Sequence, residues 1–161
     1  MIVDFDKIPD WGKLWVFPAS RKFYSQEINE VKESIESFLK TWNLDKEELK
    51  SAYQIKYDRF IIITIDDSEI TLPLETHDAL SDFIQSLEKK YNILLLDKIN
   101  VCYKQGEFVQ YKDLIAFKKM IKSKSISPKI TVFNNMISTK EELSNQWEIN
   151  IMDSYLGHFF K

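Results

Sequence analysis

Glycine is scarce in this chain: among its 161 residues only Gly12, Gly106 and Gly157 occur, and they stand far apart. A P-loop (G-x-x-x-x-G-K-[ST]) and a dinucleotide fingerprint (G-x-G-x-x-G) both need closely spaced glycines so that the backbone can wrap phosphate, and neither can be assembled here. The single Cys102 excludes an intramolecular disulfide framework and a cysteine-rich zinc site, and two histidines, His77 and His158, exclude a multi-histidine metal site within one chain. The G-x-S-x-G elbow, H-E-x-x-H and the calcium-loop pattern are missing as well. No stretch approaches the roughly 18 consecutive apolar residues of a membrane span. Met1 to Asp6 shows neither a basic nor an apolar leader segment, so the expectation is a soluble, cytoplasmic protein without a membrane.

What is present is ordinary for a globular domain. The hydrophobic fraction is 44%, the charged fraction 29% and the aromatic fraction 14%, with a net charge of -3. That balance opposes disorder and opposes a protein coated in nucleic acid, which leaves only a local basic patch for such a role. A chain of this length fits a single domain, taken here as residues 1–161.

Period and punctuation then place the elements. Leu14-Trp15-Val16-Phe17, stopped by Pro18, reads as a first strand. Ser25 stands at an N-cap position ahead of Ile28, Val31, Ile35, Phe38, Leu39 and Trp42, whose spacing makes one helical face. Ala52 to Tyr57 and Phe60 to Ile65 flank Asp58-Arg59 as a hairpin. Thr76 can cap a second helix with Leu80, Phe83, Ile84, Leu87 and Tyr91 inward, and Ile99 to Tyr103 closes the series as a fourth strand. The order is α+β, a ferredoxin-like βαββαβ core over about 13–104, followed by a C-terminal α/β extension over about 105–161. In that extension Gly106 turns a hairpin into Phe108-Val109-Gln110-Tyr111, Leu114, Phe117 and Ile121 mark a helix, and Ile130 to Phe133 another strand. Thr139 with Glu142 has the form of a capping box.

Phe60 to Ile65 is apolar on both faces, so both faces must be covered. Two helices cover one. The extension, with Phe108, Phe117, Phe133, Trp147, Phe159 and Phe160, is expected to pack on the other.

Charge is segregated. No Lys or Arg occurs from Phe60 to Glu88, whereas Asp66, Asp67, Glu69, Glu75, Asp78, Asp82 and Glu88 are acidic. Asp66, Asp67 and Asp78, with His77 nearby, form the trio best suited to a hard cation, although acids at a helix start need no metal to explain them. Conversely Lys112, Lys118, Lys119, Lys122, Lys124 and Lys129 face only Asp113, which suits phosphates or an acidic partner and equally the wet face of an amphipathic helix. No aromatic residue interleaves the polar side of that run, so a stacking platform is not indicated. Arg21-Lys22-Phe23 is a further anion candidate beside the first helix, with a salt bridge to the glutamates of that helix as the simpler reading. Cys102 with His158 is a formal thiolate pair, yet strand cysteines are ordinarily small buried hydrophobes.

The strings Leu14-Trp15-Val16-Phe17, Arg21-Lys22-Phe23, Phe38 to Trp42, Tyr53 to Phe60 and Val132-Phe133-Asn134-Asn135 resemble an uncharacterised bacterial family carried under the label "ABC transporter ATPase". The resemblance spans most of the chain. The label implies Walker and signature motifs that this chain lacks. Members of the family carry Gly-Cys-Ser-Ile-Asp before the second helix where Leu72-Pro73-Leu74-Glu75-Thr76-His77-Asp78 stands here, so no thiol role transfers. The expectation for function is a non-catalytic binding or adaptor protein whose partner is another protein, with Trp11, Trp15 and Trp147 as anchors if exposed, and no cofactor. The alternatives are a metal-assisted enzyme or phosphate-ligand binder using residues 66–78, and an RNA binder using the 112–129 lysines.

Overall fold

A computed structural model describes residues 1–44, 47–68 and 71–161. Leu14–Pro18 forms β1, Ser25–Thr41 α1, Asn43–Leu44 and Glu47–Glu48 the short β2 and β3, Ser51–Lys56 β4, Phe60–Ile65 β5 and Leu74–Tyr91 α2. Then follow β6 (Val101–Gln105), β7 (Phe108–Lys112), α3 (Leu114–Lys122), β8 (Thr131–Phe133), α4 (Lys140–Asn145) and β9 (Glu148–Asn150), with 3-10 turns at Ile151–Asp153 and Tyr155–Phe160.

The protein is α+β with two main antiparallel sheets, in the orders β1-β5-β4 and β7-β6-β8-β9. β5 is the middle strand of the first, and every residue in it is buried. Its odd-numbered residues Ile61, Ile63 and Ile65 meet Val31, Ile35 and Leu39 of α1 and Leu80, Ile84 and Leu87 of α2. The two helices hold each other through Phe38 stacked on Phe83 at 4.5 Å and through Trp42 Nε1, which donates to the Thr76 carbonyl at 2.8 Å. Each large aliphatic side chain buried here stabilises the fold by about 1.5–3 kcal/mol.

Phe60 and Ile62 point the other way, into a cluster with Leu14, Val16, Cys102, Phe133, Leu143 and Trp147. The second sheet therefore packs on the first, as the two-sided apolarity of β5 requires. Of the six aromatic residues expected to provide this cover, Phe133 and Trp147 do so. Phe117, Phe159 and Phe160 belong instead to a third cluster, where Val101, Tyr103 and Val132 on the far face of the second sheet meet α3 and the C-terminal turn, and Phe108 is exposed. The layers run helices, sheet, sheet, then α3 with the C-terminal turns.

Several expectations need adjustment. The fourth strand, expected at Ile99 to Tyr103 in the first sheet, falls at Val101–Gln105 and pairs with β7 and β8 in the second. β1 is thus left as an edge, covered where Leu14 N donates to Ser138 O and Ser20 N to Leu94 O. α1 is capped from Tyr24, whose backbone N–H donates to Glu27 Oε1 at 2.8 Å, and α2 begins after Pro73, ahead of Thr76. The β4–β5 turn falls on Tyr57 and Asp58, both left-handed at φ 56° and 51°, one residue earlier than the sequence implies. Tyr57 offsets that strain by packing its ring on Phe60, Phe133 and Trp147. The capping box at Thr139 forms as expected, with Glu142 Oε1 accepting from Thr139 N at 3.1 Å.

Candidate functional site

The acidic trio does not converge. Among the described residues no group of three His, Cys, Asp or Glu side chains gathers to hold a metal ion. Asp66 accepts hydrogen bonds from the backbone and hydroxyl of Ser68, Asp67 accepts from Lys13 N at 3.3 Å, and Asp78 is exposed on α2. The physical reason is local: carboxylates at the end of a strand find nearby backbone donors first. Glu69 lies outside the described residues.

Arg21 is fully engaged. Its guanidinium donates to both oxygens of Glu27, at 2.8 and 3.1 Å, and to Tyr91 O at 3.0 Å, and it lies 4.5 Å from the centroid of the Tyr24 ring. The hydrogen bond from Arg21 leads the causes that hold the Glu27 carboxyl below its ordinary value. Arg21 therefore fastens α1 to the end of α2. Lys22 turns away and lines a cavity of about 190 Å³ with Arg59, whose Nη1 is buried and has no hydrogen-bond partner among the described residues. Burial lowers the pKa of Arg59. Asp58 and Glu107 line the same cavity, so it offers an anion no net positive field.

Three of the four tryptophans are core residues. Trp15 packs on Trp42 and His77, and Trp147 is sealed between the sheets with its Nε1 donating to Asn135 Oδ1 at 2.9 Å. Trp15 and Trp147 are thus not surface anchors in this chain, because their apolar neighbours on β1 and β8 enclose them. Trp11 is exposed, at 63%.

The exposed apolar surface lies elsewhere. A groove of about 330 Å³ opens beside the end of β8, with Val132, Ile149 and Leu156 in its walls and the buried Asn135 amide in its lining. Met136 and Tyr155 line it while remaining 71% and 60% exposed, and Ile99, 68% exposed, sits between two other lining residues, Lys98 and Asn100. Lys98 is half-buried, with its ammonium 5.3 Å from the centroid of the Phe17 ring. Among the described residues no carboxylate stands within 4.0 Å of it, and desolvation lowers its pKa. Neighbouring Asp97 is committed to Ile99 N, Asn100 N and Asn100 Nδ2. The one acid in the lining, Asp153, is itself exposed.

The remaining sequence candidates separate. Lys118, Lys119 and Lys122 lie on α3, with Lys119 and Lys122 exposed and Lys118 half-buried. Cys102 is buried between the sheets, where desolvation pushes its thiol up to about 12 against the opposing effects of Arg59 and Asn135. It is a neutral packing residue, whereas His158 is exposed against Phe159.

No protein-family model, curated protein or solved structure matches the chain. The site must therefore be read from its own chemistry. Lys98, Met136 and Tyr155 were not singled out by sequence reasoning. A usable signal exists for two of them: Lys98 is the one cation in the apolar connection from Ile93 to Ile99, and Met136 is an apolar residue in an Asn-Asn turn.

Proposed function

We propose that this protein is a non-catalytic binding module that docks an extended segment of a partner protein in the groove beside β8. The observation that carries the reading is that Met136 and Tyr155, both exposed, line one groove with a half-buried Lys98 that has no acid partner among the described residues. A carboxylate on the partner would restore to Lys98 the charge stabilisation that desolvation removes, and apolar side chains would cover the rim. The occupant is thus an apolar segment bearing an acidic residue. The volume falls in the range of sites that hold a few side chains rather than a whole helix.

The scaffold supports the same reading. The order β1-β5-β4, with α1 and α2 on one face, fits a ferredoxin-like unit whose fourth strand has moved to a second sheet. The strings that carry the family resemblance include Val16, Phe60 and Phe133, which meet in the core between the sheets. Those residues are core residues, and the chain lacks the closely spaced glycines that ATP hydrolysis by a P-loop would need.

The test is site-specific photocrosslinking of the full chain in lysate of its host, with a photoreactive residue at Met136 or, as control, at the exposed Phe108. The proposal expects a discrete adduct from position 136 alone, lost when Lys98→Glu is added. Equal adducts from both positions, or an adduct indifferent to Lys98→Glu, would overturn it.

A further inference from the structure

The C-terminal 3-10 turn Tyr155–Phe160 has a second side. While Tyr155 and Leu156 line the groove just described, Phe159 and Phe160 line a separate open cleft of about 540 Å³ against the end of α3. Its other walls are Ile121, Ile126 and Pro128, and its charged side chains are those of Lys122, Lys124 and Lys161, with no acidic side chain among the described residues that line it.

Four observations give this cleft a chemistry. Lys112, Lys118, Lys119, Lys122, Lys124 and Lys129 carry the most concentrated positive charge in a chain whose net charge is -3, and among the described residues none of them is within 4.0 Å of a carboxylate. The one acid in that run, Asp113, is committed to capping α3, accepting from Ala116 N at 3.0 Å at the far end of the helix. The fold supplies what the linear sequence lacked, aromatic surface among the lysines: Lys118 Nζ lies 4.5 Å from the centroid of the Phe159 ring. Finally, Lys124 is left-handed at φ 62°, where it closes α3 with Ser125 N donating to Met120 O at 2.9 Å. Glycine or asparagine is the low-strain residue at that position, so a lysine there is held against a conformational cost and delivers its cation into the cleft lining.

We infer that this cleft binds single-stranded nucleic acid, with phosphates on Lys122, Lys124 and Lys161 and a base against Phe159 and Phe160. Unpaired lysines supply an electrostatic track, and aromatic walls accept any base by its π-face. A duplex presents no free base to such walls. An acidic peptide would leave them without a flat partner. The inference stands on α3 and the C-terminal turn and does not depend on what occupies the groove at Lys98.

The experiment is fluorescence anisotropy of a labelled oligouridylate with the full chain, across a salt series. Duplex RNA of equal length and vesicles containing phosphatidylserine serve as competitors. Three phosphate contacts predict that log K falls with log salt at a slope of about -2. Lys122→Glu with Lys124→Glu should weaken binding by tenfold or more while lowering the melting temperature by only a few degrees, both side chains being exposed and Lys122 lying in the last turn of α3. Phe160→Ala should weaken it by roughly tenfold through lost stacking. Absence of binding at low salt, binding that ignores salt or the double charge reversal, or preferential competition by duplex or by vesicles would each overturn the inference.

Discussion

The groove at Lys98 and the cleft at Lys122 share one short segment, Tyr155–Phe160, yet differ in almost every property that selects a ligand. The groove has one cation held partly out of water, one exposed acid and an apolar rim. Among the described residues that line it, the cleft has three lysines, no acidic side chain and aromatic walls. A charge matters to recognition when the fold withholds its partner. The acidic run from Asp66 onward makes the same point from the opposite side, because its first carboxylates are occupied by Ser68 and the backbone of Lys13 and form no site. Two surfaces of different polarity thus lie on either side of one turn.

The comparison breaks most completely if the shared scaffold is removed. Trp147→Ala should destabilise the fold by about 3–5 kcal/mol, since it opens a cavity between the sheets and leaves Asn135 without its indole donor. Urea denaturation would register this as a lower midpoint, and both surfaces should lose their ligands together. Next in size is an exchange of effects. Met136→Asp with Tyr155→Ser should reduce peptide binding by tenfold or more and leave oligouridylate binding unchanged, and Lys122→Glu with Lys124→Glu should do the reverse. Paired titrations of each variant with both ligands measure the separation directly. If either double variant weakened both ligands equally, the surfaces would be one.

Lys124→Gly sharpens the contrast between stability and binding. Relief of the left-handed strain should raise stability by about 1 kcal/mol, while the lost cation weakens the oligonucleotide. Calorimetry and anisotropy on the same sample should therefore move in opposite directions. The smallest effect is that of acid. Glu27 and Glu142 are held below the ordinary carboxylate value of 4.5, the first mainly by the Arg21 hydrogen bond and the second mainly by the backbone of Ser138. Their contribution is present above that value and is lost as pH falls through their folded-state pKa. The melting temperature should thus fall on acidification below about pH 4.5, and less in Glu142→Gln, which cannot titrate.

Local pattern was readable and long-range assembly was not. The inward face of α1, the two-sided burial of β5 and the capping box at Thr139 are each encoded within a few consecutive turns or residues, and each forms. The membership of Val101–Gln105 depends instead on competition between β1 and β8 for its edge, which no window of sequence contains. Trp147 reads as a surface anchor only until Phe60 and Phe133 close around it. The lysine run was visible, but the aromatic residues beside it come from the distant C-terminal turn. Lys98 was hidden for a different reason: one cation in a loop carries no pattern, and it stands out only through partial burial with no acid partner among the described residues.

The most direct test of the docking groove is selection of a random peptide library displayed on phage against the immobilised full chain, with counter-selection on the Lys98→Glu, Met136→Asp variant. Docking predicts that the enriched peptides place Asp or Glu among apolar residues and bind the variant at least tenfold more weakly. Enrichment of peptides that bind the variant equally well, or of peptides without an acidic residue, would contradict it.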